Sequence, residues 1–146
     1  SVNFWLIHWR QFDSQGNAVP VFTTYHNERD GWYFILPDAW GDDVALSRSD
    51  LPGGGERSVT FSRWDRDSGM VPESFLTIYK LTGTNRLSRA KAGQRFFVLP
   101  EQEPLNADNF SIIYAAEFRD GWDCGLTEEE VRERFKLITT DWYNGY

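Results

Sequence analysis

The sequence predicts an α+β fold: an antiparallel β-sheet meander with one C-terminal amphipathic helix packed on a face of it. Three observations carry this expectation. Short runs, alternating or continuously apolar, recur as far as Phe118, separated by turn clusters rich in Gly, Pro, Asn and Asp. Beyond them the period becomes helical, behind a capping signal. Aromatic residues make up 16% of the chain, with seven Trp, and large rings suit half-buried pleated surfaces.

Taken in order, residues 3–12 (NFWLIHWRQF) alternate Trp5, Ile7 and Trp9 against Leu6, His8 and Arg10, which is strand periodicity. The cluster Asp13-Ser14-Gln15-Gly16-Asn17 turns the chain, and residues 19–25 read as the return strand. Asp30-Gly31 is a hairpin signal, followed by the apolar strand 32–36 (WYFIL), which Pro37 stops. A short strand is expected at 44–47. Pro52-Gly53-Gly54-Gly55 marks the loop 49–57. Residues 58–64 (SVTFSRW) alternate Val59 and Phe61 against polar neighbours, a strand with one wet face; 75–81 (FLTIYKL) follows as another. A helical turn is expected at 86–92, a strand at 95–99, and the most central strand at 110–118 (FSIIYAAEF).

The tail carries the clearest local signal. Thr127 at N-cap and Glu130 at N3 form a capping box, with Leu126 and Val131 at the staple positions. Glu128, Glu129 and Glu130 match the helix dipole. Val131, Phe135, Ile138 and Trp142 then fall on one stripe, and Gly145 ends the helix. The tetrapeptide Arg-Asp-Gly-Trp occurs at 29–32 and again at 119–122. Unlike flanks make a shared turn solution the expected reason.

Composition excludes some functions. A formal charge of -7 with no basic run disfavours nucleic acid and anionic membrane surfaces. No apolar stretch approaches the roughly 18 residues that span a bilayer. The chain starts Ser1-Val2-Asn3 in a strand-like run without a signal-peptide pattern, which reads as an excised or processed chain. The single Cys124 excludes a disulfide within the chain and a Cys-based zinc site.

The chemistry-bearing constellations are weak. Asp65, Asp67 and Gly69 suggest a calcium loop, but position six is Met70 and the acid at twelve is missing; a solvated turn is the better reading. Cys124 precedes a helix N-terminus, yet a nucleophile also needs a base, and a buried apolar role is expected. His8 and His26 are candidates to pair across the first hairpin as metal ligands, but without a third ligand the set is weak, and ordinary strand histidines are the better reading. No Gly-x-Ser-x-Gly elbow, P-loop or dinucleotide pattern occurs. No catalytic, cofactor or metal residue is therefore assigned. Most Trp residues fit core positions. Trp64 and Trp122 flank loops, and Tyr143 and Tyr146 lie near the tail; these four form the candidate ligand surface.

The pieces GWYFILPDAW, with its Phe-x-x-Pro-x-x-Trp strand end, TIYKLTG, IIYAAE and LTEEEVRERFKLI with Trp142 resemble the PsbP-like α/β/α sandwich group. They resemble still more the C-terminal domains, of unassigned activity, of exported lipoproteins in clostridia and their relatives. The resemblance spans residues 24–145 and leaves 1–23 as an added hairpin. It implies an extracytoplasmic home, secreted or lipid-anchored, and carries over no catalytic residues. The resulting expectation is one domain over residues 1–146, the C-terminal part of a longer exported protein. It would be non-catalytic and act in binding or assembly with a protein or cell-wall partner. A carbohydrate- or cell-wall-binding module using exposed Trp and Tyr is the alternative, and a hydrolase a distant third.

Overall fold

The computed structural model describes residues 6–65, 67–69, 71–102 and 107–138. Along them run β1 (Leu6–Phe12), β2 (Ala18–Asn27), β3 (Trp32–Leu36), β4 (Val44–Asp50), β5 (Glu56–Arg63) and β6 (Glu73–Thr82). After these come α1 (Arg86–Ala90), β7 (Phe96–Phe97), β8 (Ile112–Phe118), α2 (Glu128–Arg134) and β9 (Phe135–Leu137). The α+β expectation is corrected: the described chain is mainly β. Its strands form two antiparallel sheets, ordered β1-β2-β3-β9 and β4-β5-β6-β8-β7, and not one meander. Among the described residues the two α-helices span only five and seven residues.

The C-terminal helix is where sequence and structure part. Its start is as read: the Thr127 amide donates to Glu130 Oε1 (3.1 Å) and the Glu130 amide to Thr127 Oγ1 (3.2 Å), a reciprocal capping box. The helix ends at Arg134, however, and Phe135 and Leu137 pair with Phe34 and Trp32 as a strand. The spacing Val131, Phe135, Ile138 suits a helical stripe, but Phe and Leu two apart also suit a strand. Pairing the open side of β3 satisfies backbone groups there, and the Ile138 amide extends the pairing by donating to Gly31 O (2.9 Å). Val131 and Phe135 are both buried, as expected, from different elements. Trp142 lies outside the described residues.

The described chain divides into two compact units, residues 42–132 and residues 6–41 with 133–138. The larger unit holds the five-stranded sheet. One face of it carries the rows Leu46–Phe61–Leu76–Phe118 and Val59–Ile78–Ala116–Phe96, directly opposite across the strands. The other face is split. Tyr79, Leu81, Phe97, Ile113 and Ala115 pack with Ala90 of α1, Ala107 and the half-buried Leu87. Beyond that cover lies a polar row, Ser47–Thr60–Thr77–Glu117.

The smaller unit holds the four-stranded sheet. Tyr25, Trp32, Phe34, Leu36 and Phe135 are buried; register and period two put them on one face. Tyr25 meets Trp32 edge-on at 5.5 Å, and Trp32 lies 5.5 Å from Phe135. Just past β3, Trp40 stacks on Phe34 at 5.8 Å, so the Pro37 strand end carries its Trp back onto the sheet.

Candidate functional site

The site is built where the chain leaves β8. Arg119 and Gly121 hang on β6: their amides donate to Phe75 O and Ser74 O, both at 2.9 Å. Gly121 is needed for that approach. A Cβ there would lie 2.4 Å from Ser74 O and 2.7 Å from Ser74 N. The segment that follows borders a cleft of ≈ 350 Å³ in the larger unit. Phe75, Phe118, Trp122 and Leu126 supply its apolar lining, and Arg119, Asp120 and Asp123 its charges, with Cys124 beside them.

The aromatic wall is ordered from both sides. Trp122 sits edge-on to the buried Phe75 at 5.1 Å, and the Arg63 guanidinium lies 4.9 Å over the indole. Trp122 remains partly exposed. Asp120 and Asp123 are exposed, and Asp123 Oδ1 accepts from the Gly125 amide (2.9 Å).

Arg119 ties the cleft to the polar sheet face. Its Nε donates to Thr77 Oγ1 (3.0 Å) and its Nη2 to the Tyr79 hydroxyl (2.8 Å), while Nη1 stands 3.4 Å from Glu117 Oε1. Tyr79 in turn donates to Glu117 Oε1 (2.9 Å), and Thr77 and Thr60 share a hydrogen bond of 2.9 Å. Behind them the Arg95 guanidinium lies 3.7 Å over the Tyr79 ring and holds Glu56 through Nη1 (2.8 Å) and Nη2 (3.3 Å). Burial, helped by the bond to Glu117, raises the Tyr79 phenol above its ordinary range. Burial works against the Arg95 charge, but Glu56 and Tyr79 more than offset it and its pKa is raised. A network this well satisfied fixes the Arg119 guanidinium in place, at 43% side-chain exposure. It holds Tyr79 as a neutral hydrogen-bond donor. Cys124 is buried, and burial pushes its thiol up, away from the thiolate a nucleophile requires.

Of the four sequence-predicted ligand residues, Trp122 lines the cleft. Trp64 is half-buried at the end of β5, where its amide donates to Asp43 O (2.9 Å), and it does not line the cleft. Tyr143 and Tyr146 lie outside the described residues. His8 stands opposite Thr23 in the β1–β2 pairing, so period two puts His26 on the other face of the hairpin. The two bond separately, His8 to Thr23 and His26 to Thr24. Asp65 closes its own turn, its Oδ1 accepting from the Asp67 amide (3.0 Å). Among the described residues no group of three His, Cys, Asp or Glu stands close enough to share a metal ion.

Two features escaped the sequence reading. One is the Arg119 anchor, whose only signal was the repeated Arg-Asp-Gly-Trp. The other is a second aromatic surface, on the face of the four-stranded sheet away from Phe34. There Ile7 (40% exposed), Trp9 (44%) and Phe22 (38%) stand out of the β1–β2 hairpin. The Trp9 indole N–H donates to Thr24 Oγ1 (3.0 Å), and Trp9 packs on Phe22 at 5.7 Å. Further along, His26 stacks on Tyr33 at 4.8 Å.

The repeat does not share a turn. Gly31 has φ 83 and closes the β2–β3 hairpin, its amide donating to Asn27 O, with Asp30 buried against Asn27. Gly121 is outside the positive-φ set and is held by the close approach to β6. No helix among the described residues is long and apolar enough to cross a membrane. Compared with protein-family models, curated proteins and solved structures, the chain gives no match.

Proposed function

We propose that this chain is a non-catalytic binding domain that takes a polyhydroxylated ligand, a carbohydrate or cell-wall glycan, in the cleft beside Trp122. The observation that carries the reading is one partly exposed indole set beside a prearranged guanidinium and two carboxylates. Sugars offer both surfaces such a site needs: C–H patches for the ring, and hydroxyls that donate to Asp and accept from Arg. Glycan polymers lie outside the cell membrane, in keeping with the exported setting that the lipoprotein resemblance implies. The test is binding to a glycan array and to purified cell wall. Saturable binding that is lost in Trp122→Ala and weakened in Arg119→Met supports the reading. No binding, or binding indifferent to Trp122, overturns it.

A second reading is assembly with a protein partner through the four-stranded sheet. It is favoured by the adjacent exposed side chains of Ile7, Trp9 and Phe22, since contiguous apolar surface is unusual on a domain without a partner. Its mark is a complex that survives Trp122→Ala and is lost in Trp9→Ala.

A further inference from the structure

The larger unit holds a second cavity, of ≈ 230 Å³, between the β4–β5 turn and the β6–α1 connection. It is lined by glycines 53–55, residues 82–85 and Arg89. Its electrostatics run against the overall balance of the chain, a formal charge of -7. No carboxylate lines the cavity, and Arg89 is its sole charged lining residue. Arg89 Nη1 is withdrawn from water and has no hydrogen-bond partner among the described residues. The contrast with Arg95 is direct, because that guanidinium is balanced by both oxygens of Glu56. Only Nη1 is withdrawn, the residue as a whole being half-buried; an unbonded buried N–H is costly, and the guanidinium is a strong attractor for an anion brought to it.

The glycines leave that space open. Gly53, Gly54 and Gly55 have φ of 90, 82 and 91, a backbone that residues with a Cβ rarely adopt. A Cβ on Gly55 would stand 3.2 Å from Thr82 O and 3.6 Å from Arg89 Nη1, filling the approach to the guanidinium. Thr82, Thr84 and Asn85 add neutral side chains able to donate.

We propose that this cavity binds an oxyanion, a phosphate or sulfate group, held by Arg89 with the hydroxyl and amide donors of residues 82–85. The geometry suits a tetrahedral group that needs several donors and no opposing carboxylate. The test is a ¹H–¹⁵N NMR titration of the full chain with inorganic phosphate, with inorganic sulfate and with glycerol phosphate. The amides of glycines 53–55 and 83 and the Arg89 side chain are followed. Saturable shifts confined to those signals are expected. Tighter binding of glycerol phosphate than of phosphate assigns the site to an anionic group carried on a larger molecule; equal binding assigns it to the free ion. Arg89→Gln should weaken binding about tenfold or more. Because that variant removes a half-buried side chain, Thr84→Glu is the second probe. Thr84 is exposed, and a carboxylate there should abolish binding with the spectrum otherwise intact. Trp122→Ala should bind as the parent does. Absent or unsaturable shifts, shifts spread over the surface, or binding that survives Thr84→Glu would overturn the proposal.

Discussion

Gly121→Ala should be among the most damaging single-methyl additions in this protein. Its Cβ would sit 2.4 Å from Ser74 O and 2.9 Å from Glu73 C. Ordinary contact needs roughly 1 Å more, so the 119–122 segment must move off β6. The Gly121 N–H to Ser74 O bond, 2.9 Å long, would then open to about 3.9 Å and be lost. Overpacking costs about 1–3 kcal/mol and the lost bond about 1 kcal/mol, a sum of about 2–4 kcal/mol. The sign is diagnostic. Gly121 is not in a left-handed conformation, so without the clash alanine would stabilise the fold by about 0.4–1 kcal/mol through the unfolded chain. Urea unfolding followed by Trp fluorescence reads the difference. At a slope of about 2 kcal/mol/M the midpoint should fall by about 1–2 M. A midpoint unchanged or raised would refute the close approach, and with it the placement of Arg119 and Trp122 that depends on it.

Three further outcomes are expected. Phe135→Ala, removing a buried ring packed on Trp32 at 5.5 Å, should cost about 3–5 kcal/mol in denaturant unfolding; a cost near zero would remove β9 from the sheet. Thr127→Ala should cost about 1 kcal/mol, because its hydroxyl accepts from the Glu130 amide, whereas Thr127→Ser should cost little. Burial raises the Cys124 thiol pKa, so the folded chain favours the protonated form. That contribution is present below the unfolded thiol pKa and is lost as pH rises toward the folded value. Cys124 should accordingly react with a thiol reagent much more slowly folded than in urea, and equal rates would contradict its burial.

Local chemistry was legible in the sequence wherever a signal is complete within a few residues. The strand 32–36 was read with the bounds it has, since Gly31 opens it and Pro37 closes it. The central strands 75–81 and 110–118 were read to within two residues of β6 and β8, and the capping box at Thr127 formed as read. What failed was set by distant partners. Phe135 reads as helix because its alternative partner, Phe34, lies about a hundred residues away, and long-range pairing overrides a local period. Two sheets replaced one for the same reason. Alternation also fixes which residues share a face without saying which face is covered, so it does not tell that Ile7 and Trp9 stand exposed on theirs. The Arg119 network draws on three strands, β5, β6 and β8, and on the two loops that hold Arg95 and Arg119, so no sequence window contains it.

The repeated Arg-Asp-Gly-Trp shows how far residue identity falls short of site identity. At 29–32 the glycine supplies a positive φ, the Asp is buried in bonds to Asn27, and the Trp is 1% exposed in the core. At 119–122 the glycine supplies only its missing Cβ, the Asp faces the cleft, and the Trp forms part of its wall. The first copy uses a backbone conformation, and its side chains serve the fold. The second uses proximity to β6, which holds Arg119 beside Thr77, Tyr79 and Glu117 and leaves Trp122 partly open. The binding function proposed here thus belongs to the copy whose side chains stay accessible past the end of the strand, and that is decided by where β8 ends.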